Sequence, residues 1–286
     1  MVTPISERGY ERPELLAETE WLAGRLADPR IRVVDARNKG AYAAGHIPGA
    51  VHLDGFATFA PLGGILPRAR NGDMGSPEDF ARLVGGLGIA NDATVIVYDT
   101  PSQRMGMVAW AFLYYGHADI RILDGGMTKW LVEGRALDVQ PANLPSVAYV
   151  AHPRTAVHCT LEQAKAGVGR DDFVFWDTRS ADEYAGKETA GFGSVPRPGR
   201  IPGAVHLEWT ELLDPDSRTL KSAEELRQLL AVRGITPDKQ VASYCQGGAR
   251  GALGAFVLQV LGYSQAQAYA GSFEQWSNQP DTDVET

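Results

Sequence analysis

Residues 240–251 read QVASYCQGGARG: a β-branched and apolar run ends at a cysteine, and a short loop leads through an arginine into an apolar stretch. In an open α/β sheet, ligands bind beyond the carboxyl ends of the strands, where loops enter helices. Cys245 stands at such a place. Gln246, Gly247, Gly248 and Ala249 are small or flexible, so the loop can curl and aim several backbone N–H groups at one point. A helix starting near Ala249 would add its positive dipole end, and Arg250 a full positive charge. A free cysteine titrates near ~8.5, and such surroundings draw it to about 3.5–7.5. The expectation is a thiolate nucleophile facing an anion site, with Gln246, Gly247, Gly248, Ala249 and Arg250 as the binding groups.

A lone cysteine at a strand end is more often a small buried hydrophobe. The chain carries its own control against that reading. Residues 45–53 are GHIPGAVHL and residues 199–207 are GRIPGAVHL. The likeness extends both ways: Asp35 and Asp177, like Tyr42 and Tyr184, lie 142 positions apart. At the Gly-x-Ile-Pro box the offset is 154, so the second copy carries 12 extra residues around Lys187 to Pro198. From Ser76/Ser222 to Trp130/Trp276 it is 146. At the matching position Asp99 replaces Cys245, followed by Thr100, Pro101, Ser102, Gln103 and Arg104. A carboxylate in place of a thiol suggests an exposed position whose chemistry one copy keeps and the other lacks.

Units of about 120 residues are too long for a solenoid repeat, so each copy should be a domain with its own core. The expected division is a first domain over 1–136, a Pro- and Ala-rich linker over 137–157 and a catalytic domain over 158–286. Strands are expected at Arg32–Asp35, Thr94–Asp99, Ile120–Leu123, Phe173–Asp177, Gln240–Tyr244 and Ala266–Tyr269. Helices are expected at Pro77–Gly86, Gln103–Tyr115, Ala223–Arg233 and Ala249–Leu261. Ser76 with Asp79, and Ser222 with Glu225, have capping-box spacing. Alternating strands and helices define an α/β chain whose sheets are mainly parallel, with helices on both faces.

Composition narrows the partners. The 286 residues are 44% hydrophobic and 22% charged, ordinary for a globular protein. With 27 Lys and Arg against 35 Asp and Glu the formal charge is −8, which offers nothing to a phosphate backbone and argues against nucleic acid. Two cysteines make no disulfide framework or zinc site and point to a reducing compartment. The amino-terminal MVTPISERGYERPE lacks a signal-like apolar core, and no apolar stretch is long enough to span a bilayer. A cytoplasmic protein without a membrane association is expected.

The Asp-x-Arg box with a downstream Tyr (Asp35, Arg37, Tyr42; Asp177, Arg179, Tyr184), the Gly-x-Ile-Pro-Gly-Ala box, the six-residue loop opening with Cys245, and a Gly followed by Trp (Gly125, Trp130; Gly271, Trp276) are the marks of one family. The chain closely resembles the tandem-domain rhodaneses, the thiosulfate and 3-mercaptopyruvate sulfurtransferases, over almost its full length. The resemblance implies two tandem rhodanese-like domains, the nucleophile in the second and Asp often in its place in the first. It also implies transfer of a sulfane sulfur from a small anionic donor such as thiosulfate, through a persulfide on Cys245, to a thiophilic acceptor such as cyanide, a thiol or a partner protein. No metal or organic cofactor is implied. The mercaptopyruvate branch resembles Cys-Gly-Ser-Gly-Val-Thr in the loop and uses an Arg just after the Asp-x-Arg box, where this chain has Glu183; both departures weaken the mercaptopyruvate alternative. Related cell-cycle phosphatases have five residues between Cys and Arg, against four here, which disfavours phosphatase or arsenate reductase activity. A persulfide carrier or regulatory module is the non-enzymatic alternative.

Arg250 is the candidate anion contact, unless it braces the loop by pairing with a carboxylate. Arg179 is a second candidate, although Asp35 and Arg37 recur where the cysteine is missing, which also fits a structural ion pair. His52 and His206 recur likewise and are expected to be structural. The insertion 186–200 either is a surface loop or borders the pocket mouth, with Arg197 or Arg200 assisting anion capture. Trp209 either lines the pocket or packs in the core, and Cys159 is expected to be inert.

Overall fold

The computed structural model describes residues 2–56, 75–100, 103–191 and 193–286. The first unit contains β1 (Leu16–Ala17), α1 (Thr19–Ala23), β2 (Ile31–Asp35), α2 (Lys39–Ala44), β3 (Val51–His52), α3 (Pro77–Gly86), β4 (Thr94–Tyr98), α4 (Gln103–Tyr114), β5 (Asp119–Leu123) and α5 (Gly126–Val132). The second contains α6 (Leu161–Gly167), β6 (Phe173–Asp177), α7 (Ala181–Tyr184), β7 (Val205–His206), α8 (Ala223–Ala231), β8 (Gln240–Tyr244), α9 (Ala249–Val260), β9 (Ala266–Ala268) and α10 (Ser272–Ser277).

Both sheets are parallel, in the orders β1-β5-β4-β2-β3 and β7-β6-β8-β9. Their strands are near-continuous apolar runs, because a parallel sheet is covered on both faces; Val33, Val34, Val95, Ile96 and Val97 are all buried. The two sheets are in equivalent register. Asp35 stands opposite Tyr98 and His52, as Asp177 stands opposite Tyr244 and His206. The second sheet replaces β1 by a single parallel bridge, His158 with Ala268, where the first pairs Leu16 with Ile122.

The longer expected elements are present, with ends shifted by a residue or two. Asp99 and Tyr269 lie just past their strands, and α4, α8 and α9 stop at Tyr114, Ala231 and Val260. The two-residue strands and the short helices were not expected, since they are too short to show a period. Ser76 Oγ accepts from Asp79 N–H at 3.0 Å, while Ser222 and Glu225 complete the reciprocal box. Residues 139–154 form neither helix nor strand and run along the first unit, with Val147 N–H on Gly85 O and His152 N–H on Tyr115 O. Pro101 and Ser102, and Phe192 within the insertion, lie outside the described residues.

The helices that follow the two matching loops, α4 and α9, lie side by side, and one apolar cluster runs through both units. Trp110 and Phe112 on α4 share it with Leu253, Phe256 and Val257 on α9. Ten of the 12 residues of α9 are buried, and apart from Arg250 and Gln259 the helix is apolar or glycine, as a helix enclosed on most sides must be. The close approach is made at Gly106, where an added Cβ would lie 2.6 Å from Leu253 Cα and 2.9 Å from its N. The copy without the cysteine therefore fixes the helix that starts at Cys245's loop.

His158 sits in this seam, its ring 6.0 Å from Trp110 and 5.9 Å from Tyr114, and burial pushes its pKa down to about 4. It is neutral in the fold but protonates in the unfolded chain once the pH falls below the ordinary 6.5. Its contribution is complete above that value and is lost as pH falls through about 4. Urea midpoints measured across this window should fall more steeply in the wild type than in His158→Gln; parallel curves would refute the assignment. Gly106→Val should lower unfolding free energy by about 1–3 kcal/mol through overpacking against Leu253. An unchanged denaturation midpoint would contradict the close contact.

Candidate active site

The motifs that recur build a brace, not a reaction centre. Arg179 donates to both Asp177 oxygens (Nε at 2.9 and 3.1 Å, Nη2 at 2.6 Å) and to Gly199 O at 2.7 Å. Arg37 makes the same contacts with Asp35 and Gly45 O. Tyr98 donates to Asp35 at 2.5 Å and accepts from Ile47 N–H; Tyr244 likewise bonds Asp177 and accepts from Ile201 N–H. In each copy the Asp-x-Arg box thus ties two strand ends to the Gly-x-Ile-Pro turn. His52 and His206 complete the brace by bonding the carbonyls of Arg37 and Arg179. Arg179 is 2% exposed, and its guanidinium also lies 4.3 Å from the Phe273 ring centroid. Its contacts are those of a structural ion pair, and none points to the donor-binding role that was its alternative.

Cys245 follows β8 and is held through its backbone on both sides. Its carbonyl accepts from Phe273 N–H at 2.9 Å, as Asp99 O accepts from Met127 N–H in the first unit. Its N–H donates to Ser272 Oγ at 3.2 Å, and that hydroxyl donates to Tyr269 O at 2.9 Å. Ser272 is fully buried and has a positive φ of 54°, which glycine tolerates and an L side chain resists. The matching residue is Gly126, φ 52°. The copy with the cysteine thus accepts backbone strain where the other has none, and the serine hydroxyl is what it gains. Comparing Gly126 with Ser272 in the two copies is the signal that would have found this residue in the sequence.

The loop then turns back on the sulfur. Gly248 N–H lies 3.1 Å from Cys245 Sγ. Gly248 has φ 96°, and a Cβ there would meet Ala270 O at 2.7 Å, so only glycine brings this amide to the thiol. Arg250, in the first turn of α9, interacts with the Cys245 sulfur and with a second partner. Its Nη1 and Nη2 bond Glu183 Oε2 and Oε1 at 2.5 and 2.8 Å. Burial works against both charges, but each holds the other ionised: the carboxyl lies below the usual glutamate range and the guanidinium above its ordinary value. Arg250 therefore does brace the loop through a carboxylate, and does so while facing the sulfur.

Position 245 is not exposed. Cys245 is 2% accessible, because its loop folds back on the strand end instead of standing away from it, and Asp99 is equally buried. The insertion adds cover in the second unit alone. Gln246 Oε1 accepts from Ala190 N–H at 2.8 Å, and Glu274 Oε1 accepts from Ser194 N–H at 3.1 Å. The Gln246 side chain is thus spent on the insertion, not turned to a ligand. Arg197 donates to the carbonyls of Trp276, Ser277, Gln279 and Thr282, and Arg200 pairs with Glu285 and stacks on Tyr184. These engagements leave neither poised for anion capture. Trp209 is half-buried against the apolar core. Cys159 is fully buried, and burial pushes its thiol up to about 12.

The model of the rhodanese-like domain matches residues 18–133 and 160–279, and the chain belongs to that family in its tandem-domain form. It is 37% identical over 284 residues to the sulfur carrier protein TtuD of Thermus thermophilus, covering 94% of this chain and 96% of that protein. It is 34% identical over 278 residues to a thiosulfate sulfurtransferase of Pseudomonas aeruginosa, covering 95% and 97%. Among solved structures it is similar to an anaerobic ergothioneine biosynthesis enzyme from Chlorobium limicola bound to trimethyl histidine. The TM-score is 0.84 at 25% identity, over 96% of this chain and 71% of that one. A complex of an EanB variant whose ergothioneine is covalently linked with a persulfide cysteine matches at TM-score 0.85, 26% identity, 96% and 71% coverage.

The Ser272 hydroxyl makes a specific prediction. Ser272→Ala leaves the buried Cys245 N–H unpaired and keeps the strained φ, and should cost about 1–3 kcal/mol. Ser272→Gly loses the same bond but relieves about 1 kcal/mol or more of backbone strain, and should be the milder change. Chemical denaturation of both variants checks the order; equal costs would mean that the positive φ carries no strain.

Proposed function

We propose that the protein is a thiosulfate sulfurtransferase that works through a persulfide on Cys245. The observation that carries the reading is the sulfur at a strand end, met by the Gly248 amide, the amino-terminal end of α9 and the Arg250 guanidinium, in one copy of a repeat whose other copy has Asp99 there. Those groups stabilise negative charge on sulfur. The Cys245 thiolate attacks the outer sulfur of thiosulfate; the new Cys–S–S bond forms as the donor's S–S bond breaks, and sulfite leaves with the electron pair. The terminal sulfur of the persulfide carries the negative charge into the same cradle. Cyanide or a thiolate then attacks that sulfur, and the electron pair returns to Cys245. Enclosure of the cysteine suits a compact donor, and four residues between Cys245 and Arg250 make a cradle tighter than a phosphate needs.

The name of the Thermus relative favours one further reading, in which the persulfide is stored for a partner protein instead of passed to a small acceptor. Initial rates with thiosulfate and cyanide separate the two. The enzyme reading predicts parallel double-reciprocal lines, as a covalent intermediate requires, with turnover abolished in Cys245→Ser and no hydrolysis of an aryl phosphate. Intersecting lines, or activity that survives the serine, would overturn it. Stoichiometric release of sulfite without thiocyanate turnover would make the protein a carrier.

A further inference from the structure

Arg250 is placed to meet an anionic donor, yet its fork is filled. Glu183 takes both terminal nitrogens, which is the two-point contact a sulfonate or carboxylate of a donor would make. The carboxylate is fixed from behind by Ser180 N–H at 3.1 Å, and its side chain is 4% exposed. It does not swing aside as a surface glutamate would.

The charge of Glu183 is not needed for the helix it caps. The box at the start of α6 is closed by Gln163, whose amide oxygen accepts from Thr160 N–H at 2.9 Å. An amide therefore serves the cap equally well. Nor does the shared brace require it. In the first unit Ala41 stands at the matching position, while Arg104 matches Arg250 and lies 4.5 Å from the Phe56 ring centroid. A carboxylate at this sequence position belongs only to the unit with the cysteine.

A fixed negative charge at this distance acts on any donor that approaches the sulfur, and it acts twice as strongly on a dianion as on a monoanion. We propose that Glu183 is the specificity-determining residue of the site. By occupying Arg250 it withholds the cation from doubly charged donors and favours those of lower charge, the monoanionic persulfides of neutral thiols. Thiosulfate is then a substrate of high KM. This inference rests on Cys245 being the sulfur acceptor.

The test compares the wild type with Glu183→Gln, using thiosulfate and the hydropersulfide of mercaptoethanol as donors and cyanide as acceptor. The amide keeps the cap and removes the charge. KM for thiosulfate should fall about tenfold with kcat little changed, and KM for the persulfide, a monoanion at neutral pH, should fall by only about threefold. A purely structural role would move both donors by one factor, and a role in aiming Arg250 would raise the thiosulfate KM; either result overturns the proposal. Should Glu183→Gln not fold, Glu183→Ala, which reproduces the first unit's residue, carries the same expectation. Failure of the wild type to take sulfur from either donor would instead refute the reading of Cys245.

Discussion

Everything at this site depends on the backbone of one residue being fixed at the end of a central strand. Cys245 is pinned by its carbonyl to Phe273 N–H and by its N–H to Ser272 Oγ, and the strand beneath it is bonded to neighbours on both sides. With the residue immobile, a loop with only four positions between Cys245 and Arg250 has few ways to close. Gly248 supplies the left-handed turn that brings its amide to the sulfur, and the next residues enter α9. The placing of the Gly248 amide, the start of α9 and Arg250 beside the sulfur follows from that geometry.

The copy without a thiol shows which parts of the fold are frame and which are chemistry. Asp99 occupies the same backbone position, with the same bond from the following helix, and the Asp-Arg-Gly brace is repeated nearly atom for atom. The differences at the site include the loop, Cys-Gln-Gly-Gly-Ala from Cys245 against Asp-Thr-Pro-Ser-Gln from Asp99, together with Ser272 for Gly126, Glu183 for Ala41, and the insertion that reaches Gln246 and Glu274. The first unit also contributes to the frame, because α4 packs against one side of α9, the helix behind the loop.

Much of this was legible in the amino-acid sequence, for identifiable reasons. The repeat and the β-branched runs disclosed the parallel sheets, and a cysteine before glycines and an arginine marked the strand end at which the Gly248 amide meets the sulfur. Two-residue strands such as Val51–His52 have no periodicity to detect. The partner of Arg250 was hidden because Glu183 lies 67 positions away and meets it only through the fold. The expected exposure of position 245 failed because accessibility depends on where a loop folds back, which residue types do not specify. Arg197 and Arg200 were candidates for anion capture on charge alone; the carboxyl-terminal segment takes up their hydrogen bonds and ion pair.

The direct measurement is the location of the transferred sulfur. After incubation with thiosulfate and digestion under non-reducing conditions, the peptide containing Cys245 should be heavier by one sulfur atom and should return to its original mass when cyanide is added. The peptide containing Cys159, buried and held as a thiol, should be unchanged. Sulfur found on Cys159, or a Cys245 peptide that gains none, would contradict the account.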